Sequence, residues 1–405
     1  MTETTLDTTP EWLDRDFVAT CLSKDDEAAG LRLKSFVATP LNTAAQVAGS
    51  RVMRVAAELE APDGSPSRPR RLVLKTPAVG MSAQLQQTFR REVFVYSRAL
   101  PDAEAALRAA EGASFHPVAA RCLLSGEALV LEDLSAAGFR LAAGGASLDL
   151  PHCALVARAV ARLHAASAPL VDREPYVGEL FRDSAFFNEA SRPDMQHFTE
   201  KNMLAVAEAL DAVPGFAGYA QKYRQLAVKI FDRLLALHRD QEGRMRVLLH
   251  GDLWRNNLMF RYSDGRPVDV RLVDFQMAYV GSPAQDLQFF LYGNASEEVH
   301  RNSMEYLLSE YHCVLQSTLS AMGEHERAAS YPLEQLRRDM DDHALLGLYC
   351  ACNAMGFTLA PSGSANAIAT NATNSPAVHR RVFTNPALLS YIKHVTPIFE
   401  SKGLL

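Results

Sequence analysis

A two-lobed α+β fold, with a small antiparallel sheet ahead of a mainly helical body, is the class this sequence predicts. Three observations predict it. Two strand-like runs in the first quarter are joined by a tight turn. Helical periodicities dominate after residue 150. Between residues 247 and 276 an apolar run turns sharply polar, becomes apolar again and repeats the pattern. At 405 residues and 48% hydrophobic, the chain is long enough for two lobes around sizeable cores.

The elements follow in order. Glu11 to Leu22 reads as a short amphipathic helix, with Trp12, Leu13, Phe17 and Val18 at helical spacing, covering the first lobe. Ser50 to Glu60 reads as a strand, Pro62-Asp-Gly-Ser-Pro66 as a turn, and Arg71 to Lys75 as a second strand ending in a lysine. Ser82 to Leu100 is helical, and Glu92 lies 17 residues after Lys75. Leu129-Val-Leu131 reads as a buried strand leaving through Glu132-Asp133-Leu134, where the hinge between lobes is expected. Ser135 to Ser147 reads as a loop. Pro151 opens a helix to Ala168, in which His164 reads as structural. Further helices are expected at 202–213, 219–239, 296–322 and 332–355, and a mobile loop from Pro361 to Pro376. The expected division is 1–134 for a nucleotide lobe and 135–405 for the helical lobe.

The chemistry concentrates in Val247-Leu-Leu-His250-Gly251-Asp252-Leu-Trp254-Arg255-Asn-Asn257 and in Val270-Arg-Leu-Val-Asp274-Phe-Gln276. A hairpin turning at Ser263-Asp-Gly-Arg266 brings Asp274 beside Asp252 and Asn257. Phosphoryl transfer from a nucleotide needs such a set. One carboxylate orients and deprotonates the attacking hydroxyl; a second carboxylate and an amide oxygen hold the Mg²⁺ that neutralises phosphate charge. The spacing of five between Asp252 and Asn257 is that of a kinase catalytic loop. A lysine closing a strand, with a glutamate on the next helix, supplies the cation for the nucleotide phosphates. No Gly-x-Gly-x-x-Gly precedes the first strand; only Gly49 lets backbone approach phosphate closely, and Ser50 offers a hydroxyl beside it.

Four neighbours carry alternatives. His250 braces the metal-binding aspartate or the loop backbone. Trp254 packs the loop or walls the acceptor pocket. Arg255 supplies charge for phosphate or is solvated. Asp286 caps a helix or braces the catalytic loop.

His250-Gly-Asp-Leu-Trp-Arg-Asn-Asn257, Val273-Asp-Phe-Gln276, Leu129-Val-Leu-Glu-Asp-Leu134 and Gly281-Ser-Pro-Ala-Gln-Asp-Leu287 together resemble the ecdysteroid-kinase-like (CHK-kinase-like) family. That family belongs to the aminoglycoside/choline-kinase branch of the protein-kinase-like fold, and the likeness runs from about Gly49 to Tyr292. The resemblance implies an ATP-dependent kinase with Asp252 as base. Asn257 and Asp274 would be the Mg²⁺ ligands, and Lys75, Glu92, Gly49, Ser50, Glu132 and Leu134 would lie around ATP. It also implies a small-molecule alcohol as acceptor, an ecdysteroid or another lipophilic alcohol, with choline-like or aminoglycoside-like acceptors as the alternative. The rival class is a catalytically silent kinase-like binding protein, which the missing glycine pattern favours. A protein kinase fits less well, because no Ala-Pro-Glu follows Asp274.

A net charge of −6 argues against a nucleic-acid or anionic-membrane partner. No uninterrupted apolar run reaches the ~18 residues of a membrane span, and Met1-Thr-Glu-Thr-Thr-Leu-Asp7 has no signal-peptide core. Six scattered cysteines without metal or redox spacing suit a reducing compartment, so the expected location is cytoplasmic.

Overall fold

A computed structural model describes residues 10–41, 50–78, 82–143, 147–173, 180–239, 244–360 and 376–405. The leading residues, Gly49 and most of the Pro361–Pro376 loop lie outside these ranges. The fold is the expected α+β class, an antiparallel sheet ahead of a mainly helical body. A five-stranded antiparallel sheet, ordered β1-β2-β3-β5-β4, comprises β1 (Arg32–Pro40), β2 (Ser50–Glu60), β3 (Arg70–Pro77), β4 (Cys122–Leu124) and β5 (Leu129–Glu132). Helix α1 (Arg15–Leu22) covers one face.

Strand periodicity decides which side chains reach the cleft. Along β3, Leu72 and Leu74 are buried with Met53, Val55 and Val130 under α1. The alternate positions Val73 and Lys75 therefore face the opposite side, where they line the cleft between the lobes. β1 escaped the sequence reading. It is an edge strand with one buried residue, Leu33, so its pattern carries little apolar alternation.

The helix expected at 82–100 is longer. α2 (Ala83–Phe94) passes through a π turn at Val95–Ala99 into α3 (Leu100–Glu111). Pro101 does not stop it, because a proline is tolerated in the first turn after the π turn. Three other expected helices are broken, at Val228–Lys229, at Ser303, and at His343 and Asn353. The stretch 135–147 is not only loop: a turn of 3₁₀ helix at Leu134–Ala137 leads into β6 (Phe139–Leu141).

In the helical body α4 (Leu150–Arg173) runs through the core. By length and composition it could cross a membrane, although it carries no uninterrupted apolar run. It is 78% buried in protein over its most apolar window, with Val156, Val160 and Leu163 in the main core. A two-stranded pair, β7 (Val247–Leu249) with β10 (Tyr279–Gly281), flanks a hairpin of β8 (Leu258–Ser263) and β9 (Arg266–Leu272). The hairpin turns where expected, with Asp264 and Gly265 both at positive φ.

The body also carries a titration signature. Burial holds His300 neutral, its pKa lowered to about 4 against the pull of the Leu291 carbonyl. Its folded pKa lies below the unfolded value, so its contribution is whole above pH ~6.5 and is lost as the pH falls toward 4. Relative to His300→Gln, the wild type should lose about 1.4 kcal/mol per pH unit across that window. Urea midpoints at pH 7 and pH 5 for both proteins check this. Parallel changes would contradict it.

Candidate active site

Of the residues singled out in the sequence, Ser50, Lys75, Glu92, Glu132, Leu134 and Asp274 line one cleft. Its cavity of about 320 Å³ has apolar walls that include Val52, Val73, Leu131, Met259 and Val273. Lys75, Glu92 and Asp274 stand at its polar end, and Glu132, Asp133 and Leu134 line its rim. Ser50, the first residue of β2, also lines it.

Lys75 Nζ lies 2.5 Å from Glu92 Oε2 and 2.7 Å from Asp274 Oδ1. The Glu92 contact is the expected brace; the direct bond to Asp274, 199 residues away, is not visible in the sequence. Burial opposes the ammonium, but the carboxylates of Asp274 and Glu92 outweigh it and hold Lys75 above its ordinary range. Burial pushes Glu92 up to about 7 despite the lysine, with Asp274 adding repulsion. For Glu92, burial outweighs the attraction of the lysine it touches. We read Lys75 as charged in every state.

The hairpin delivers Asp274. Leu258 pairs with Leu272, and the Val273 N–H donates to the Asn257 carbonyl at 3.1 Å. Asp274 itself takes the left-handed conformation, φ +68°, which among non-glycine residues aspartate and asparagine tolerate best. Asn257 Nδ2 donates to the Asp252 carbonyl at 2.9 Å and to Asp252 Oδ2 at 3.1 Å. Asp252 is partly open to solvent, yet desolvation and then the Asp274 charge push its carboxyl up to about 8.

The catalytic loop is braced from below. Asp286 accepts the N–H groups of His250, at 2.7 Å, and Gly251, at 2.9 Å. His164 Nε2 meets the same carboxylate at 3.2 Å, and its Nδ1 meets the Tyr311 hydroxyl at 2.8 Å. Asp286 is thus not the helix cap. Ser282 caps Pro283–Asn294 in a capping box with Gln285. His250 Nε2 donates to the Val273 carbonyl at 3.0 Å, and burial keeps the ring neutral. His250 therefore fills both expected roles: its Nδ1 accepts the Asp252 N–H at 3.3 Å within the loop, and its Nε2 holds the backbone just ahead of Asp274.

Rings of His250 and Phe275 lie 4.6 Å apart, and those of Phe275 and Tyr96 5.6 Å apart. These ring contacts join the loop to the π turn that follows α2. Helical spacing places Tyr96 near one face with Phe89 and Val93, but nothing in the sequence links it to Phe275. Arg255 departs from both expected roles. It is buried, and its guanidinium donates to the carbonyls of Ala142, Ala143 and Thr358. It therefore ties the catalytic loop to two neighbouring segments, and no signal in the sequence marks those partners. At the hinge, Arg54 pairs with Asp133 at 2.6 Å, a contact between β2 and the hinge that was also not foreseen.

Gly251 carries a sharp consequence. Its φ is +77°, and a Cβ there would stand 2.2 Å from the Met277 carbonyl oxygen. Gly251→Ala should cost roughly 2–5 kcal/mol, the left-handed penalty plus an overlap with rigid backbone. A thermal melt within a degree or two of wild type would contradict this.

Among the described residues no three His, Cys, Asp or Glu side chains form a closed metal cage. Mg²⁺ does not need one: it takes one or two carboxylates and completes its shell with water and phosphate oxygens. Glu92, Asp252 and Asp274 around a single Lys75 leave excess negative charge, which suits a divalent cation.

The profile of the ecdysteroid kinase-like family matches residues 46–324. No curated protein matches. Among solved structures, a choline kinase from Cryptosporidium parvum Iowa II aligns over 97% of this chain and 98% of its own. The identity there is 11% and the TM-score 0.49. The profile match covers well over half of the 405 residues and contains Lys75, Glu92, Asp252, Asn257 and Asp274, so the chain belongs to the ecdysteroid kinase-like family.

Proposed function

We propose that this protein is an ATP-dependent phosphotransferase that phosphorylates a hydroxyl of a small molecule. One observation carries the reading. A buried lysine, shared by Glu92 and Asp274, lines an apolar-walled cleft, and Asp252, bonded by Asn257, lies close enough to feel the charges of Asp274 and Lys75.

The base of the nucleotide fits between the apolar walls, against backbone at Glu132 and Leu134. Lys75, held by Glu92, meets the phosphates as a point charge. Asn257 and Asp274 would hold Mg²⁺, which when bound neutralises phosphate charge and makes the terminal phosphorus attackable. Asp252 accepts a hydrogen bond from the acceptor hydroxyl, aims its oxygen in line with the phosphorus and takes its proton as the bond forms. With a cation held beside Asp274, part of the repulsion that raises the Asp252 pKa would be cancelled, which would favour its ionised form. Positioning and charge do the rest, without a covalent enzyme intermediate.

For the acceptor we favour a lipophilic alcohol such as an ecdysteroid over a choline-like or aminoglycoside-like cation. Tyr349 and Cys350 lie close enough for the Asp252 charge to act on them. They belong to Ala344–Cys352, a buried and largely apolar helix. Such a surrounding suits an apolar ring system better than a polycation.

The test is transfer of label from γ-labelled ATP, with and without Mg²⁺, to a panel of steroid alcohols, choline and aminoglycosides. Mg²⁺-dependent labelling of a steroid alcohol is the expected result. Saturable nucleotide binding with no transfer to any acceptor would favour the silent binding protein. Absence of nucleotide binding would overturn the reading.

A further inference from the structure

Arg91 sits next to Glu92 on α2 and turns the other way. Glu92 faces Lys75 in the sheet. Arg91 is 5% exposed and reaches the helical body, where its Nη1 donates to the Ala278 carbonyl at a long 3.4 Å. Its Nε has no hydrogen-bond partner, and among the described residues it forms no ion pair. Only the field of Asp183, beyond ion-pair distance, offsets the cost of its burial. A buried cation so poorly satisfied destabilises a fold, and an apolar side chain of similar length would serve packing better.

The surroundings show what it attaches. The sheet and α1 share one hydrophobic core. Phe89, Val95, Tyr96, Leu100 and Leu107 of the α2–α3 rod belong to the other core, with α4 and the catalytic hairpin. Arg162 on α4 also grips Glu111 at the end of α3. The rod is therefore seated on the helical body; the sheet meets that core through cleft-side residues such as Leu129, Leu131 and Val73, while its other face packs with α1. Three contacts fix α2 on the segment that follows Asp274. Glu92 accepts the Phe275 N–H. Arg91 meets Ala278. Phe94 stacks near Phe181 at 5.4 Å, whose carbonyl accepts the Val280 N–H at 2.7 Å.

We infer that Arg91 is a positioning residue: its guanidinium, held against the Ala278 carbonyl, seats α2 on the helical body and so keeps Glu92 at the fixed point where it meets Lys75, 2.5 Å away, for nucleotide binding. The inference rests on the nucleotide-binding reading above. Arg91 touches neither nucleotide nor acceptor. It acts through Glu92.

The test compares wild type, Arg91→Met and Arg91→Lys by calorimetric titration with Mg²⁺ and a non-hydrolysable ATP analogue, alongside melting temperature. Removing a buried, ill-paired cation should leave the Met variant as stable as wild type or more so. Its affinity for the analogue should nonetheless fall about tenfold. The Lys variant, which keeps the charge, should recover most of that affinity. Amide exchange at 275–281 should quicken in the Met variant alone. Wild-type affinity in Arg91→Met overturns the inference, as does a Lys variant no better than Met, or an affinity loss that only tracks a lower melting temperature. A wild type that fails to bind the analogue overturns the nucleotide reading itself and the inference with it.

Discussion

Replacing Asp252 by asparagine is expected to slow phosphoryl transfer by about 10²–10⁴ while leaving nucleotide affinity near wild type. The amide keeps the shape of the side chain, and its oxygen still accepts from Asn257 Nδ2, which lies 3.1 Å from Asp252 Oδ2. It cannot take the acceptor's proton, and it cannot stabilise the charge that develops on the attacking hydroxyl. Lys75, Asn257 and Asp274 remain to hold nucleotide and metal. The structure adds a second expectation. Burial and the Asp274 charge both work against an ionised Asp252, so removing that charge should not lower the melting temperature. Calorimetry with an ATP analogue and a single-turnover assay on the same variant decide the matter. Lost nucleotide binding with an unchanged chemical step would move Asp252 to the metal side of the site.

Asp274→Asn should reduce Mg²⁺-dependent turnover by about 10²–10³ or more, because a charge aimed at the reacting phosphate's counter-ion is lost. This variant is unusually clean. Position 274 sits at φ +68°, and asparagine accepts that conformation as readily as aspartate does. The hairpin bond from Val273 to Asn257 involves backbone only. The fold should therefore survive, and Lys75 should settle fully on Glu92. A Mg²⁺ titration of turnover reads the effect. Near wild-type activity with an unshifted metal requirement would remove Asp274 from the metal site.

Much of this site was legible in the sequence, and the reason is locality. The spacing of Asp252 and Asn257 lies within one loop. The turn at Asp264-Gly265 forces the hairpin that carries Asp274 back. The alternation Leu72, Val73, Leu74, Lys75 decides which side of β3 reaches the cleft, because successive strand side chains point to opposite faces. Each of these is set by a few consecutive residues, so the pattern survives without knowledge of the rest of the chain.

What tertiary structure alone decided involves partners far apart in sequence. Asp286 reads equally well as a helix cap until its carboxylate is seen on the His250 and Gly251 N–H groups. Arg255 reads as a phosphate ligand or a solvated cation until the carbonyls of Ala142, Ala143 and Thr358 close around it. Lys75 and Asp274 are brought together by the meeting of two lobes. The α2–α3 rod precedes β4 and β5 in the chain, yet its apolar face packs into the helical body. Helical periodicity marks that face as apolar but does not say which core receives it. That choice depends on the shapes of distant surfaces, which no local pattern encodes.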